Sequence, residues 1–324
     1  MARTARRRWS REFQGEIDGI AIGGSGPVFL HGYDPPAGGK WIDDVIPGKL
    51  GAFDRTSGEP LWVSPCEVGY GRGFGAGLGD EDDIVVLGPS SAGHRIARMN
   101  LEAGELIGAS EIQAFDQAIV GGDMCVTVTP GRVAGIMTSP MFEVWSFSRL
   151  DERYHIISRV GPHVYLVYTD GNRKRQGILR LDVESGDFVS QFAEPEYPVI
   201  HDMVCGEGLM VLLVGNRVPT MHRPSGPEEI RLEAFRTDGD EAYPLWREAL
   251  GEEADELLDT SISMDSGKLY VANGAMLAVR DGLSGRSLGE MTLPGLDERI
   301  AWQVSQGAGL LAEETRATVF ELPA

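Results

Sequence analysis

Apolar residues along this chain come in short runs rather than in helical stripes. Seven runs share one form: VFLHG (28–32), IVVLG (84–88), CVTVT (125–129), VYLVY (164–168), LMVLLV (209–214), LYVA (269–272) and GLLAE (309–313). Short apolar runs set between turn residues read as buried strands. A shorter segment precedes each one across a glycine-bearing turn: Ile17–Ile22, Phe74–Leu78, Gln117–Val120, Ile156–Val160, Ile200–Cys205, Ser261–Met264 and Ile300–Ser305.

The polar positions between the runs repeat as well. AFDRTSG (52–58), RMNLEAG (98–104), RLDVESG (180–186) and VRDGLSG (279–285) each hold an Asp or Asn four residues before a Gly, and AFRTDG, ending at Gly239, is a worn copy. An Asx side chain that bonds the turn backbone, followed by a glycine at positive φ, closes a β-hairpin. The glycine spacings are 46, 82, 53 and 46, and the 82 spans two copies. A period of about 40–45 residues with four short strands per copy predicts propeller blades.

The expected fold is therefore all-β: a single propeller domain over 1–324 with about seven four-stranded blades. Their approximate bounds are 16–69, 70–115, 116–154, 155–198, 199–258, 259–297 and 298–324. The third is the most worn; its second-to-third loop is read at 130–140 and its fourth strand as very short. The last copy has three strands before ATVFELPA (317–324), and RRRWSREFQG (6–15) matches the fourth-strand pattern EPLWVSPCEVG (59–69). The N-terminal strand is thus expected to complete the last blade and close the ring.

GYGRGFGAGLG (69–79), with glycine at every second position, satisfies a loose dinucleotide-loop spacing at Gly71, Gly73 and Ala76. Two more glycines follow where a helix would have to start, so the reading is an extended chain with one bare face. It marks a place where strands approach closely.

Composition narrows the function classes. The net charge of −20 excludes a nucleic-acid partner, which needs clustered cations for phosphate. Arg3, Arg6, Arg7, Arg8 and Arg11 crowd the N-terminus with no apolar segment behind them, and no run is long enough to span a membrane. Cys66, Cys125 and Cys205 are odd in number and form no C-x-x-C pair, which fits a reducing compartment. The expected location is the cytoplasm.

LGAFDRTSGEPLW (50–62) resembles the quinoprotein-type, PQQ-like, propeller repeat, roughly A-x-D-x-x-T-G-x-x-x-W, through Ala52, Asp54, Gly58 and Trp62. The other copies keep the Asx–Gly core and mostly lose the Trp. Quinoprotein dehydrogenases of that family typically have eight blades, an export signal and often a vicinal disulfide. The chain departs from all three, so the resemblance implies the fold and no bound quinone.

No nucleophile elbow, P-loop, metalloprotease helix or calcium loop occurs. The polar residues expected at the starts of inner strands, on the face from which the long loops 31–48, 130–140 and 216–229 project, are Asp18, Asp116, His155, His201, Asp202 and Asp259. His155, His201, Asp202 and Asp259 are candidates for acid–base chemistry; Asp18, Asp116, His155 and His201 are candidates for a divalent metal. The competing reading gives them to turn backbones, with no metal or other cofactor bound. Trp41, Trp62, Trp145, Trp246 and Trp302 are read as core or inter-blade packing, and 251–260 as an acidic helical insertion.

Two function classes follow. One is a non-catalytic cytosolic scaffold docking a protein partner through the loop face. The other is an enzyme, a metal-assisted hydrolase, lyase or isomerase, with its site in the central funnel. A binder of a small molecule or a quinone-like cofactor in that funnel is the third and weakest reading.

Overall fold

The computed structural model describes residues 3–22, 26–34, 48–69, 73–79, 82–171, 175–192, 199–206, 208–216, 229–239, 241–251, 260–298 and 301–322. Strands β1 (Arg3–Thr4) and β2 (Arg6–Glu12) precede the first blade, which is β3 (Glu16–Ile22), β4 (Val28–Tyr33), β5 (Gly48–Phe53) and β6 (Pro60–Cys66). The second blade is β7 (Gly75–Leu78), β8 (Asp83–Ser90), β9 (Gly93–Asn100) and β10 (Leu106–Ile112); the third is β11 (Gln117–Gly121), β12 (Met124–Thr129), β13 (Arg132–Thr138) and β14 (Met141–Phe147). The fourth is β15 (Glu152–Val160), β16 (His163–Asp170), β17 (Arg175–Asp182) and β18 (Phe188–Phe192); the fifth is β19 (Val199–Gly206), β20 (Leu209–Gly215), β21 (Ile230–Arg236) and β22 (Tyr243–Gly251). The sixth is β23 (Ser261–Asp265), β24 (Lys268–Asn273), β25 (Met276–Asp281) and β26 (Ser287–Thr292), and the last holds β27 (Ala301–Ser305), β28 (Ala308–Ala312) and β29 (Arg316–Glu321).

Each blade is a four-stranded antiparallel sheet, the sixth carrying β1 as a fifth strand parallel to β26, and the whole is a seven-bladed all-β propeller. β2 pairs antiparallel with β29, so the chain's N-terminal strand is the outer strand of the last blade, as its Trp pattern predicts. The chain divides into two compact units. One holds blades four to six; the other holds blades one to three and the last. The second strand of every blade is buried almost throughout, and β4, β8, β20 and β28 are buried at every position.

The hairpin signature has the anatomy its spacing implies. Asp54 Oδ1 accepts the N–H groups of Thr56 (3.0 Å) and Ser57 (2.7 Å), while Gly58 at φ 72° donates back to Asp54 O. Asn100 with Gly104, Asp182 with Gly186 and Asp281 with Gly285 repeat it. The carboxyls of Asp54 and Asp182 are held below the usual range chiefly by these backbone bonds, and that of Asp281 chiefly by the Ser284 hydroxyl.

The turn glycines also receive a tryptophan from the preceding blade. The Trp9 indole lies over Gly58 and donates to Arg55 O at 3.0 Å; Trp62 covers Gly104 and donates to Leu101 O at 2.8 Å; Trp246 covers Gly285 and donates to Gly282 O at 2.8 Å. A Cβ on any of the three glycines would sit 2.4–2.7 Å from ring atoms. In blades two and four the tryptophan is lost, and the fifth turn keeps its glycine, Gly239. Gly108 stands in the tryptophan position of blade two and packs against Met141 from the next blade's turn. In blade four the position is Ser190, and Arg180 reaches the worn fifth turn instead, donating to Gly239 O at 2.8 Å.

Every outer strand carries a bulge immediately before that position, where the register slips by one residue against the third strand. The extra residues are Arg8, Leu61, Ile107, Val144, Val189, Leu245 and Leu288. A bulge twists an edge strand and blunts its pairing with foreign strands.

The glycine stripe has the architectural role expected of it. Cβ atoms on Gly75 and Gly77 would each lie 2.8 Å from a Cβ of the next inner strand, at Ala118 and Val120, so the bare face lets β7 and β11 pack closely. Two expectations fail. The segment 130–140 is not a long loop but contains β13, and the outer strand β14 is seven residues long, not very short. Proline at both ends and a central Gly135 conceal the strand, and that glycine is needed because the Trp145 ring lies against it, 2.1 Å from a would-be Cβ. Most of 31–48, 216–229 and the insertion at 251–260, together with Trp41, lies outside the described residues.

Candidate functional site

Asp18 is the bulge residue of β3, where the register slips between Ile17 and Gly19. The bulge turns its carboxylate onto His31 of β4, a fully buried imidazole in an otherwise apolar strand. Asp18 Oδ1 is 2.5 Å from His31 Nδ1, and His31 Nε2 is 3.0 Å from Val68 O. The ring stacks on Phe74 at 4.6 Å. A Cβ on Gly48 would collide with both Nε2 and Val68 O, so glycine there admits the imidazole.

Burial alone would lower the His31 pKa. Hydrogen bonds to Asp18 and Cys66 outweigh it and raise the value to about 10. The imidazolium donates from both nitrogens, to a carboxylate and to a carbonyl. With Asp18 it makes one unit. It is a buried, satisfied ion pair.

Asp202 sits in β19 just past an equivalent bulge, with His201 as the extra residue. Its Oδ1 accepts Met203 N–H at 2.8 Å, and its Oδ2 accepts Ile262 N–H at 2.9 Å from the inner strand of blade six. Burial pushes its carboxyl pKa up, against those two bonds. Inner strands present an unpaired edge, and side chains of the neighbouring blade satisfy it. Ser158 Oγ accepts Cys205 N–H at 3.2 Å, and Gln303 accepts Ile22 N–H at 3.1 Å while donating to Ile20 O. Asp202 belongs to this stitching.

His155 lies inside β15 rather than at its start, because that strand begins at Glu152. Its Nε2 is 2.5 Å from Thr169 Oγ1, and burial, with the nearby Arg153 charge, lowers its pKa. His201 is exposed; Asp116 is exposed, and its N–H bonds Val128 O at 2.9 Å. Asp259 lies outside the described residues. Trp302 is half-buried in β27. Asp18 and Asp116 belong to one compact unit, and His155, His201 and Asp202 to the other. Among the described residues no group of three or more His, Cys, Asp or Glu is placed to hold a metal ion. Sequence reasoning passed over His31; the signal was a histidine in the middle of VFLHGY, where only a paired imidazole is stable.

The turn leading into blade four has a different character. Arg149 N–H donates to Tyr154 Oη at 2.9 Å, Tyr154 N–H to Pro130 O at 3.0 Å, and Gly171 N–H to Asp151 O at 2.8 Å. Asp151 takes φ 64°, and burial raises the Tyr154 phenol to about 12. The product is a firmly bonded turn whose tip is Leu150, 93% exposed.

No protein-family model matches the sequence, and none of the curated proteins matches it. Solved propellers do. The chain is similar to the Pan2 WD40 domain of Neurospora crassa (13% identity, 99% of this chain and 98% of that one, TM-score 0.63). It is also similar to the Cps50 (Swd1) β-propeller domain of Myceliophteria thermophila (8% identity, 98% and 100%, TM-score 0.67) and to BamB from Moraxella catarrhalis (14% identity, 98% and 100%, TM-score 0.51). At these identities the likeness is one of fold. Among the described residues no helix is long and apolar enough to cross a membrane.

Proposed function

We propose that the protein is a non-catalytic interaction module that docks a protein partner through its loop face, built on worn repeats of the quinoprotein type. The observation that carries this reading is Leu150. A turn that fixes its backbone with several hydrogen bonds and then holds a leucine almost wholly in water suits an anchor for a partner's pocket. The tryptophan–glycine contacts between blades support the repeat type, and the WD40 neighbours support the module by fold.

The funnel enzyme draws on His155, His201, Asp202 and Asp259. Asp202 has both oxygens committed to backbone N–H groups, and His155 is tied to Thr169. We place the protein in the cytoplasm, with no cofactor.

Affinity capture from cells of the source organism, with quantified recovery, tests the reading. Wild type, His201→Ala and Asp202→Asn are expected to recover one common partner, and Leu150→Arg to lose it while melting as wild type. Recovery unchanged in Leu150→Arg, or a substrate turnover abolished by His201→Ala, would overturn it.

A further inference from the structure

Blades two and four share one arrangement and differ in what completes it. In blade two, Arg98 of β9 stands opposite Val85 on one side and Gly108 on the other, and Asp83 stands opposite Asn100 on the same face. Arg98 Nε donates to Asp83 Oδ2 at 2.5 Å, a buried ion pair. In blade four the same register sets Arg180 opposite Tyr165 and Ser190, and His163 opposite Asp182. A histidine thus stands where blade two has its carboxylate.

Alternation along β16, β17 and β18 puts His163, Arg180 and Ser190 on one face. It is the face whose Tyr165, Ile178 and Phe192 pack with Met210, Leu212 and Phe235 of blade five. Two buried atoms there, His163 Nδ1 and Ser190 Oγ, have no hydrogen-bond partner. Ser190 is 8% exposed and Arg180 5%. Burial, and then the Arg180 charge, lowers the His163 pKa, so the ring is neutral at neutral pH. Two carboxylates stand close by, and both are engaged. Asp182 Oδ1 accepts the N–H groups of Glu184 and Ser185 and the Ser185 hydroxyl, and Asp238 on the fifth turn pairs with Arg236 at 3.7 Å.

A hydroxyl, an imidazole that can donate from Nδ1 and a guanidinium charge make a set of donors for an anion. No indole covers them, because Ser190 occupies the tryptophan position, and a Cβ on Gly239 of the facing turn would meet nothing within 4 Å.

We propose that His163, Arg180 and Ser190 bind one small monovalent anion, a carboxylate or a halide, in the role that the Asp83 carboxylate has in blade two. The anion accepts from Ser190 Oγ–H and His163 Nδ1–H beside the Arg180 charge. It steadies the fifth turn, which lacks the Asx cap of the other copies and is held by Arg180 at Gly239 O.

The test is thermal melting in sodium formate, sodium chloride and sodium gluconate at equal ionic strength, gluconate being too large for the site. Wild type is expected to melt at least about 2 °C higher in formate or chloride, with a saturating dose response. A response to only one of the two ions identifies it and supports the proposal equally. Ser190→Ala with His163→Phe should remove the difference. So should His163→Asp with Asp182→Asn, which writes the blade-two arrangement into blade four. In protein with labelled histidines, the His163 ring should titrate at a higher pH in formate or chloride than in gluconate, because a bound anion favours the imidazolium.

Equal melting of wild type in all three salts, or a difference that both variants keep, would overturn the proposal. So would a His163 titration that is the same in all three salts, which needs no variant to fold. The Leu150 anchor is independent of every one of these outcomes.

Discussion

Asp18→Ala is expected to destabilise the protein by about 3–5 kcal/mol, the usual cost of leaving one member of a buried ion pair alone. His31 is fully buried, and its imidazolium is held by Asp18 Oδ1 at 2.5 Å and Val68 O at 3.0 Å. The pair has its own pH signature. The folded-state pKa of about 10 lies above the ordinary value of 6.5, so folding favours the protonated ring. This contribution is fully present below about pH 6.5 and is lost progressively as pH rises through 10. Denaturant melts of wild type should therefore lose stability between those limits beyond what other groups cause. Asp18→Asn, which keeps the size and removes the charge, should lack that component. A wild type and an Asp18→Asn variant with parallel stability–pH curves would sink the imidazolium assignment.

The second large effect is expected at the tryptophan contacts. Trp246→Ala should cost about 3 kcal/mol or more, by removing an indole that covers Gly285 and donates to Gly282 O. Gly285→Ala should cost about 1–3 kcal/mol, because its new methyl would lie 2.7 Å from the ring and φ is 70°. The two changes should not add. With the indole gone the methyl has room, and only the backbone strain of about 1 kcal/mol is left. A double-mutant cycle by urea denaturation reads the coupling directly. Additivity within a few tenths of a kcal/mol would contradict the docking geometry.

The hairpins are the most readable part of this chain, and the reason is local. Asp54, Asn100, Asp182 and Asp281 bond the N–H groups two or three residues on, so the whole device fits within a heptapeptide. The tryptophans are readable at one remove, since Trp9 and Trp62 repeat at a fixed distance from their strands while the glycines they cover lie in the next blade. β13 was hidden because its alternation is broken by a glycine that only Trp145 explains. The candidate site was read least well. Asp18, His155 and His201 look alike as polar residues near inner strands, yet a bulge at Asp18 aims its own carboxylate at a buried imidazole and one at His201 aims that of Asp202 at the next blade's backbone. A bulge adds one residue and leaves no composition signal, so the destination of those side chains is fixed by register alone.

The central claim is that Asp18 and His155 pair within their own blades and Asp202 bonds the next one, rather than any of them serving a reacting group. Elemental analysis of the full-length protein, purified without added metal and compared with His201→Ala, tests it most directly. The account predicts no stoichiometric zinc, manganese or iron in either preparation. Near one equivalent of such a metal in wild type, lost in His201→Ala, would contradict it.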